Sequence, residues 1–236
     1  CQVMFGTLVR KEVPIMKLEW RKQEKVLYGA KTRPALIHVP EQKFIMVKGA
    51  GNPNHPDFSD RVSALFSLAY AIKMNVKTAA LQEETPGKIQ DYAVYPLEGV
   101  WRQKGDGKGL VKENLDYTIM IRQPDFVTEE MVKAALERVK AKAPNPLYEE
   151  IGFRSLQGGI CIEMLHLGSY DSEPDSFAKM DQFAKENGWE RVSDCHREIY
   201  LNSAARTKPD NLKTILRYKV KESPRGGFGE NAVFRG

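Results

Sequence analysis

Glu198 stands in the stretch CHREIYLN, residues 195–202, where Ile199, Tyr200 and Leu201 favour a β-strand. A carboxylate among strand formers is either solvated on an outward face or turned toward something that needs it. Side chains alternate along a strand, so Arg197, Ile199 and Leu201 share one face, and Glu198 and Tyr200 share the other. If Ile199 and Leu201 pack inward, Glu198 and Tyr200 face water or a ligand. In a pocket walled by aromatic rings the carboxyl loses solvation and its pKa rises, while a nearby cation such as Arg197 or Arg217 lowers it. Ionised, it can hold a cationic ligand or draw a proton from water as a general base.

Tyrosine and tryptophan supply the second set of candidates. Tyr92, Tyr95 and Trp101 fall on one expected strand and Tyr117 on its hairpin partner, while Tyr170 follows the glycine of a later loop. A strand aromatic is ordinarily core, but a buried phenol needs a polar partner. Flat faces with hydroxyl tips suit a planar, polycyclic ligand. Trp101, Tyr117 and Tyr170 are therefore the leading pocket residues, with Tyr95, Tyr92 and Tyr200 beside them. Glu163 and His166 share the strand CIEMLHLG but differ in parity, so they point to opposite faces. Either one can face the site, and the sequence leaves open which. Their ordinary roles are a surface glutamate and a hydrogen-bonded structural histidine.

Other chemistries find little material. The chain has 236 residues and only three cysteines, Cys1, Cys161 and Cys195, with no CxxC spacing, and four histidines. A disulfide framework and a zinc site are both disfavoured. Cys161 and Cys195 sit in apolar strands, which points to burial rather than nucleophilic work. The glycines of GDGKG and PRGGFG lack the strand-before, helix-after setting of a phosphate loop, and there is no GxSxG elbow. The net charge of +5 is spread among interspersed acids and bases, with an excess near the C-terminus, and no nucleic-acid-binding motif accompanies it. No apolar run approaches the roughly 20 residues of a membrane span. The expected setting is a reducing cytoplasm, with no specific nucleic acid and no membrane as partner. The sequence is compatible with a monomer and leaves the oligomeric state open.

The elements that position these residues repeat. KFIMVKG (43–49) reads as a strand, and AGNPNHPD as a loop. Phe58, Val62, Leu65, Phe66, Ala69 and Ile72 then follow at helical spacing. DYAVYPLEGVWRQ (91–103) and NLDYTIMIRQP (114–124) read as a hairpin, with KGDGKG and Asp106 as its turn. Thr128 caps a connecting helix whose stripe is Val132, Ala135, Leu136 and Val139. The pattern then recurs: ICIEMLHLG (160–168) is a strand ending in glycine, and Pro174-Asp175 echoes Pro56-Asp57. Phe177, Met180, Phe183 and Ala184 mark a helix with Gly188 as its C-cap, and RVSDCHREIYLN and NLKTILRYKV close the unit.

The expected class is α+β: two tandem strand–helix–strand–strand modules, about 43–124 and 160–220, forming one antiparallel sheet. The helices lie on one side, and a central ligand cavity or groove follows the pseudo-two-fold seam. Residues 1–15 are expected to be an extension, residues 16–220 the domain and residues 221–236 a flexible, glycine-rich tail. The opening CQVMFGTLVRKEVPI makes a poor signal peptide, being interrupted by charge.

LHLGSYDSEPDSFAKM followed by HREIYLN and KTILRYKV, with GNPNHPDFSDRVSALFSLAYAI, YPLEGVW and DYTIMIRQPDFV before them, resembles the GyrI-like small-molecule-binding domain from about Met16 to Val220. The resemblance implies two such modules around a central cavity, with a glutamate on a late strand at the cavity floor. By motif that glutamate is Glu198. Some members are sensing domains of multidrug-responsive regulators, but this chain carries no DNA-binding module. Stand-alone members include cyclopropanoid hydrolases, which open the strained ring of DNA-alkylating compounds with water, a detoxification role.

That reaction needs a base for the water, which falls to Glu198, and a donor to the carbonyl conjugated to the ring, which falls to Tyr117 or Tyr170. It needs no metal or organic cofactor. The alternatives are a non-catalytic sensor or sequestering module using the same cavity, and a protein-binding inhibitor of a topoisomerase, as other members imply.

Overall fold

The computed structural model describes residues 16–83, 89–105, 109 and 111–224. The expected extension over 1–15, the part of the expected 221–236 tail from residue 225 onward and the turn residue Asp106 lie outside the described residues. The elements in chain order are β1 (Met16–Leu18), α1 (Trp20–Gln23), α2 (Lys25–Tyr28), β2 (Ala35–Val39), β3 (Gln42–Ala50) and α3 (Pro56–Glu83). After these come β4 (Ile89–Tyr92), β5 (Leu97–Gln103), β6 (Leu115–Gln123), α4 (Glu129–Lys142) and β7 (Gly152–Leu156). The second half holds β8 (Gly159–Leu167), α5 (Glu173–Glu186), β9 (Trp189–Arg191), β10 (His196–Tyr200) and β11 (Lys213–Glu222).

The two halves form one antiparallel sheet in the order β2-β8-β11-β10-β5-β6-β3-β7, with β9 on the far end of β11. Each repeat contributes three adjacent strands, β3-β6-β5 and β8-β11-β10, and the repeats join where β10 pairs with β5. β2 and β7 extend the two edges.

Both repeat helices lie on the same face. Ile45, Val47, Ile119 and Ile121 share that face, as the register of β3 and β6 requires, and they pack with Leu65, Leu68 and Ile72 of α3. In the second half Ile162, Met164, Leu216 and Tyr218 meet Met180 and Ala184 of α5. Val132 and Ala135 of α4 join the α3 cluster, and Thr128 caps α4 by accepting from the Met131 backbone N–H.

The opposite face carries ion pairs beneath a short cover made of α1 and α2. Arg217 donates to Glu163 at 2.6 and 3.1 Å and to the Leu27 carbonyl at 2.6 Å. Arg197 pairs with Glu98 and donates to Gln42, while Arg122 pairs with Glu24 beside Tyr28 and Tyr95. Trp20, Tyr28 and Tyr95 stack over this layer.

Three details differ from the sequence reading. The first repeat helix continues through the polar segment after Ile72 to Glu83, because NVKTAALQE holds good helix formers and no breaker. The long strand expected over 91–103 is broken. Pro96 offers no N–H to a ladder, so β4 ends at Tyr92 and pairs with β1, while β5 starts at Leu97. RVSDCHREIYLN likewise divides into β9 and β10 around an irregular 192–195 segment.

Removing one member of a desolvated ion pair leaves the other charge uncompensated. Glu163→Ala is therefore expected to cost about 3–5 kcal/mol of stability, read as a lowered urea midpoint with unchanged slope.

Candidate functional site

The pairing of β10 with β5 sets the site. Glu198 lies opposite Gly99, and His196 opposite Trp101, so these side chains share the helix-bearing face at the seam. Across β6, Tyr117 lies opposite Trp101 and carries the same face outward from the seam. The beginnings of α3 and α5 roof this strip from two sides. Phe58 of α3 contacts Trp101 and Tyr117 with ring centroids 5.8 and 5.2 Å apart, and Phe177 of α5 contacts His196 at 4.7 Å. Each repeat thus places a phenylalanine from the early part of its helix over a strand ring.

Glycine makes the close packing possible at two positions. A Cβ on Gly99 would meet Trp101 Nε1 at 2.4 Å and Tyr200 Oη at 3.2 Å. A Cβ on Gly49 would meet the Tyr117 ring at 2.3 Å. Both indole and phenol therefore lie flat across bare backbone.

A directed hydrogen-bond chain ends on Glu198. Trp101 Nε1 donates to Tyr200 Oη at 2.9 Å, and an indole nitrogen can only donate. The single hydroxyl hydrogen of Tyr200 consequently goes to Glu198 Oε2 at 2.8 Å. Glu198 Oε1 meets His196 Nε2, also at 2.8 Å, and the tautomer with hydrogen on Nε2 is the one that serves a carboxylate. Burial and the neighbouring Glu198 carboxylate push the Tyr200 phenol far above its ordinary range.

Beside this chain sits a second carboxyl, Glu173, the first residue of α5. It is 7% exposed against 8% for Glu198, and its Oε1 has no hydrogen-bond partner. Burial, followed by the charges of Glu198 and Asp171, pushes its pKa up to about 9. Neither carboxyl forms an ion pair with a lysine or arginine among the described residues. Tyr170, in the short turn before α5, is 37% exposed and meets the Tyr200 ring edge-on at 5.9 Å, standing at the rim; burial and the two glutamates push its phenol up to about 12.

Residues 32–221 match the GyrI-like small molecule binding domain. The chain belongs to the GyrI-like family. A solved structure of an uncharacterized conserved protein from Listeria innocua is 34% identical, with a TM-score of 0.77, covering 86% of this chain and all (100%) of that one. A structure of a hydrolase from Listeria innocua is 33% identical, with a TM-score of 0.77, covering 87% of this chain and 100% of that one. No curated protein matches the chain.

Within this GyrI-like frame the structure brings Glu198, Tyr200, Trp101, Tyr117 and Tyr170 to one face of the seam. Tyr95 and Tyr92 do not join them, because the strand breaks at Pro96. Tyr95 lies in the cover of the opposite face with its hydroxyl on Glu24, and the Tyr92 hydroxyl bonds Gln123 at the far end of β6 from Tyr117. Glu163 faces away as the buried partner of Arg217. His166 does share the helix-bearing face, but its ring bonds Ser176 at 2.9 Å, the Ser169 carbonyl at 3.0 Å and Ser172 at 3.3 Å. It anchors the turn that carries Tyr170 and Glu173. Arg197 and Arg217, expected near Glu198, are engaged on the other face. The Tyr117 hydroxyl points to Asp57 at 3.5 Å.

Glu173, His196, Phe58 and Phe177 are the functional candidates that sequence reasoning missed. His196 had a readable signal, the parity it shares with Glu198 and Tyr200. Glu173 had none, since an acid in the first turn of a helix is an ordinary dipole partner.

Two outcomes follow from this packing. Gly99→Ala is expected to displace Trp101, costing about 1–3 kcal/mol and shifting the tryptophan emission maximum. For Glu173 the folded chain keeps its proton up to about pH 9, whereas the unfolded chain releases it near 4.5. Stability from this group is full below the lower value and is lost as pH rises toward the upper one. Glu173→Gln is thus expected to raise Tm at pH 8 by at least about 3 °C, the effect of about 1 kcal/mol in a chain of this size, and to leave Tm at pH 4 little changed.

Proposed function

We propose that the seam binds planar, lipophilic aromatic compounds, and that Glu198 acts there as the general base that adds water to a strained cyclopropane conjugated to a carbonyl. The observation that carries this reading is the setting of Glu198: a carboxyl 8% exposed, held at both oxygens by His196 and Tyr200 and walled by aromatic rings. Fixed hydrogen bonds orient the carboxylate before substrate arrives, so little reorganisation is needed when it takes a proton. The rings supply stacking surface that holds a planar compound with its reactive carbon near the base. Tyr170, half-exposed at the rim, is the first ring such a ligand would meet. Ring strain supplies much of the driving force, and removal of a reactive alkylating compound is the corresponding role. The similar hydrolase from Listeria innocua supports hydrolysis as the class of reaction.

A second reading rests on a different observation. Glu198 and Glu173 have no lysine or arginine partner among the described residues, so a cationic aromatic compound would supply the missing charge. Under that reading the domain senses or sequesters such compounds without changing them.

Mass-spectrometric detection of the water adduct separates the two. Glu198→Gln is expected to slow hydration by about 100-fold, the ordinary worth of a general base. Full activity in that variant would remove Glu198 from the mechanism.

A further inference from the structure

Addition of water to a carbonyl-conjugated cyclopropane has two ends, and Glu198 serves only one. As the water oxygen bonds to the ring carbon, a ring C–C bond breaks. Its electron pair passes through the conjugated system to the carbonyl oxygen. That oxygen must end with a proton.

The tyrosines expected to donate there are poorly placed to do so. The hydroxyl hydrogen of Tyr200 is committed to Glu198 by the Trp101 donor behind it. The Tyr117 hydroxyl is turned to Asp57 beneath Phe58. Tyr170 is a weak acid at the rim, held up by burial and by both glutamates.

Resting on the hydrolytic reading above, we propose that Glu173 is the catalytic acid of the site, protonating the carbonyl oxygen while Glu198 takes the proton of the attacking water. The geometry is that of a buried carboxyl with an unpartnered oxygen, fixed at the start of α5 on the face that carries Glu198. Burial and the carboxylates of Glu198 on β10 and Asp171 in the preceding turn favour its neutral form, and its own charge in turn holds up the phenols of Tyr200 and Tyr170. Lys112 pairs with Asp171 at 3.5 Å on the exposed surface, and the His166 ring is engaged by Ser176, Ser172 and the Ser169 carbonyl. His196 is occupied by Glu198. Two similar carboxyls thereby take different roles. Glu198, given two donors, accepts a proton; Glu173, whose Oε1 is given none, retains one to give.

The step balances. Water and substrate become a primary alcohol and a phenol or enol. Glu173 leaves as carboxylate and Glu198 as acid, and one proton passed from Glu198 to Glu173, directly or through solvent, resets the pair. No oxidant or further reactant is consumed.

The test follows single-turnover hydration of a spirocyclopropyl dienone bearing a planar aromatic arm, from pH 6 to 10, with binding measured in parallel by tryptophan quenching. The full-length wild type, Glu173→Gln and Glu173→Asp are compared. Wild type is expected to lose rate as pH rises through about 9, the range in which Glu173 ionises. Glu173→Gln is expected to bind the compound normally, hydrate it about 100-fold more slowly and lose the alkaline fall. Glu173→Asp, which restores an acid, is expected to recover part of the rate and an alkaline limb. If wild type hydrates the compound and Glu173→Gln does so equally fast, or keeps the same alkaline fall, the acid role is overturned while the hydrolytic reading stands. If wild type binds the compound and returns it unchanged, the hydrolytic reading fails and takes the acid role with it.

Discussion

The antiparallel pairing of β5 with β10 is the constraint on which the rest of the structure depends. It joins two three-stranded units into one sheet and decides which side chains meet at the seam. With Glu198 opposite Gly99, the acid gains an open backbone neighbour across which Trp101 can lie. A slip of one residue would turn Glu198 to the other face, among the arginines, and would bring Arg197 beneath the helices. Apolar packing on both faces makes such a slip costly. Ile199 and Ile215 are fully buried on one side and Leu216 on the other.

The two faces of the same sheet treat buried acids in opposite ways. Beneath α1 and α2, Glu98 and Glu163 each have an arginine, and the charges cancel within the cluster. Beneath α3 and α5, Glu173 and Glu198 have tyrosine, histidine and each other. A buried pair of like acids is costly for folding and useful for chemistry, because it drives the two groups to different protonation states. The large apolar clusters around each helix offset that local cost. Burial raises the Cys161 thiol too, and there the arginines of the ion-pair face, Arg217 and Arg197, pull the other way.

The internal repeat explains the shape of the site better than its chemistry. Phe58 over Trp101 and Phe177 over His196 set a ring from each repeat helix over a strand ring and roof the site from both sides. The carboxyls belong to one side only. Glu173 stands directly before Pro174-Asp175, where the first repeat has His55 before Pro56-Asp57. His166 then ties the turn before α5 to β8 through three bonds, which fixes Tyr170 and Glu173 relative to the sheet. A duplicated scaffold thus carries both of these carboxyls in its second half.

The sequence by itself determined the class of fold, the repeat, the common side of the helices and the parity that sets Glu198 with Tyr200. These follow from period-2 and period-3.6 patterns, which are local. It also marked Trp101, Tyr117 and Tyr170 through residue type, although type alone could not distinguish them from Tyr92 and Tyr95. That distinction came from a strand break at Pro96, which sends the earlier tyrosines to the opposite face and to the far end of β6. Only the tertiary structure decided that Arg197 and Arg217 pair with other acids on the face away from Glu198, and that Glu173 arrives beside it. Both outcomes depend on strands and helices distant in sequence being brought to one seam. Through-space electrostatics has no periodicity along the chain from which it could be read.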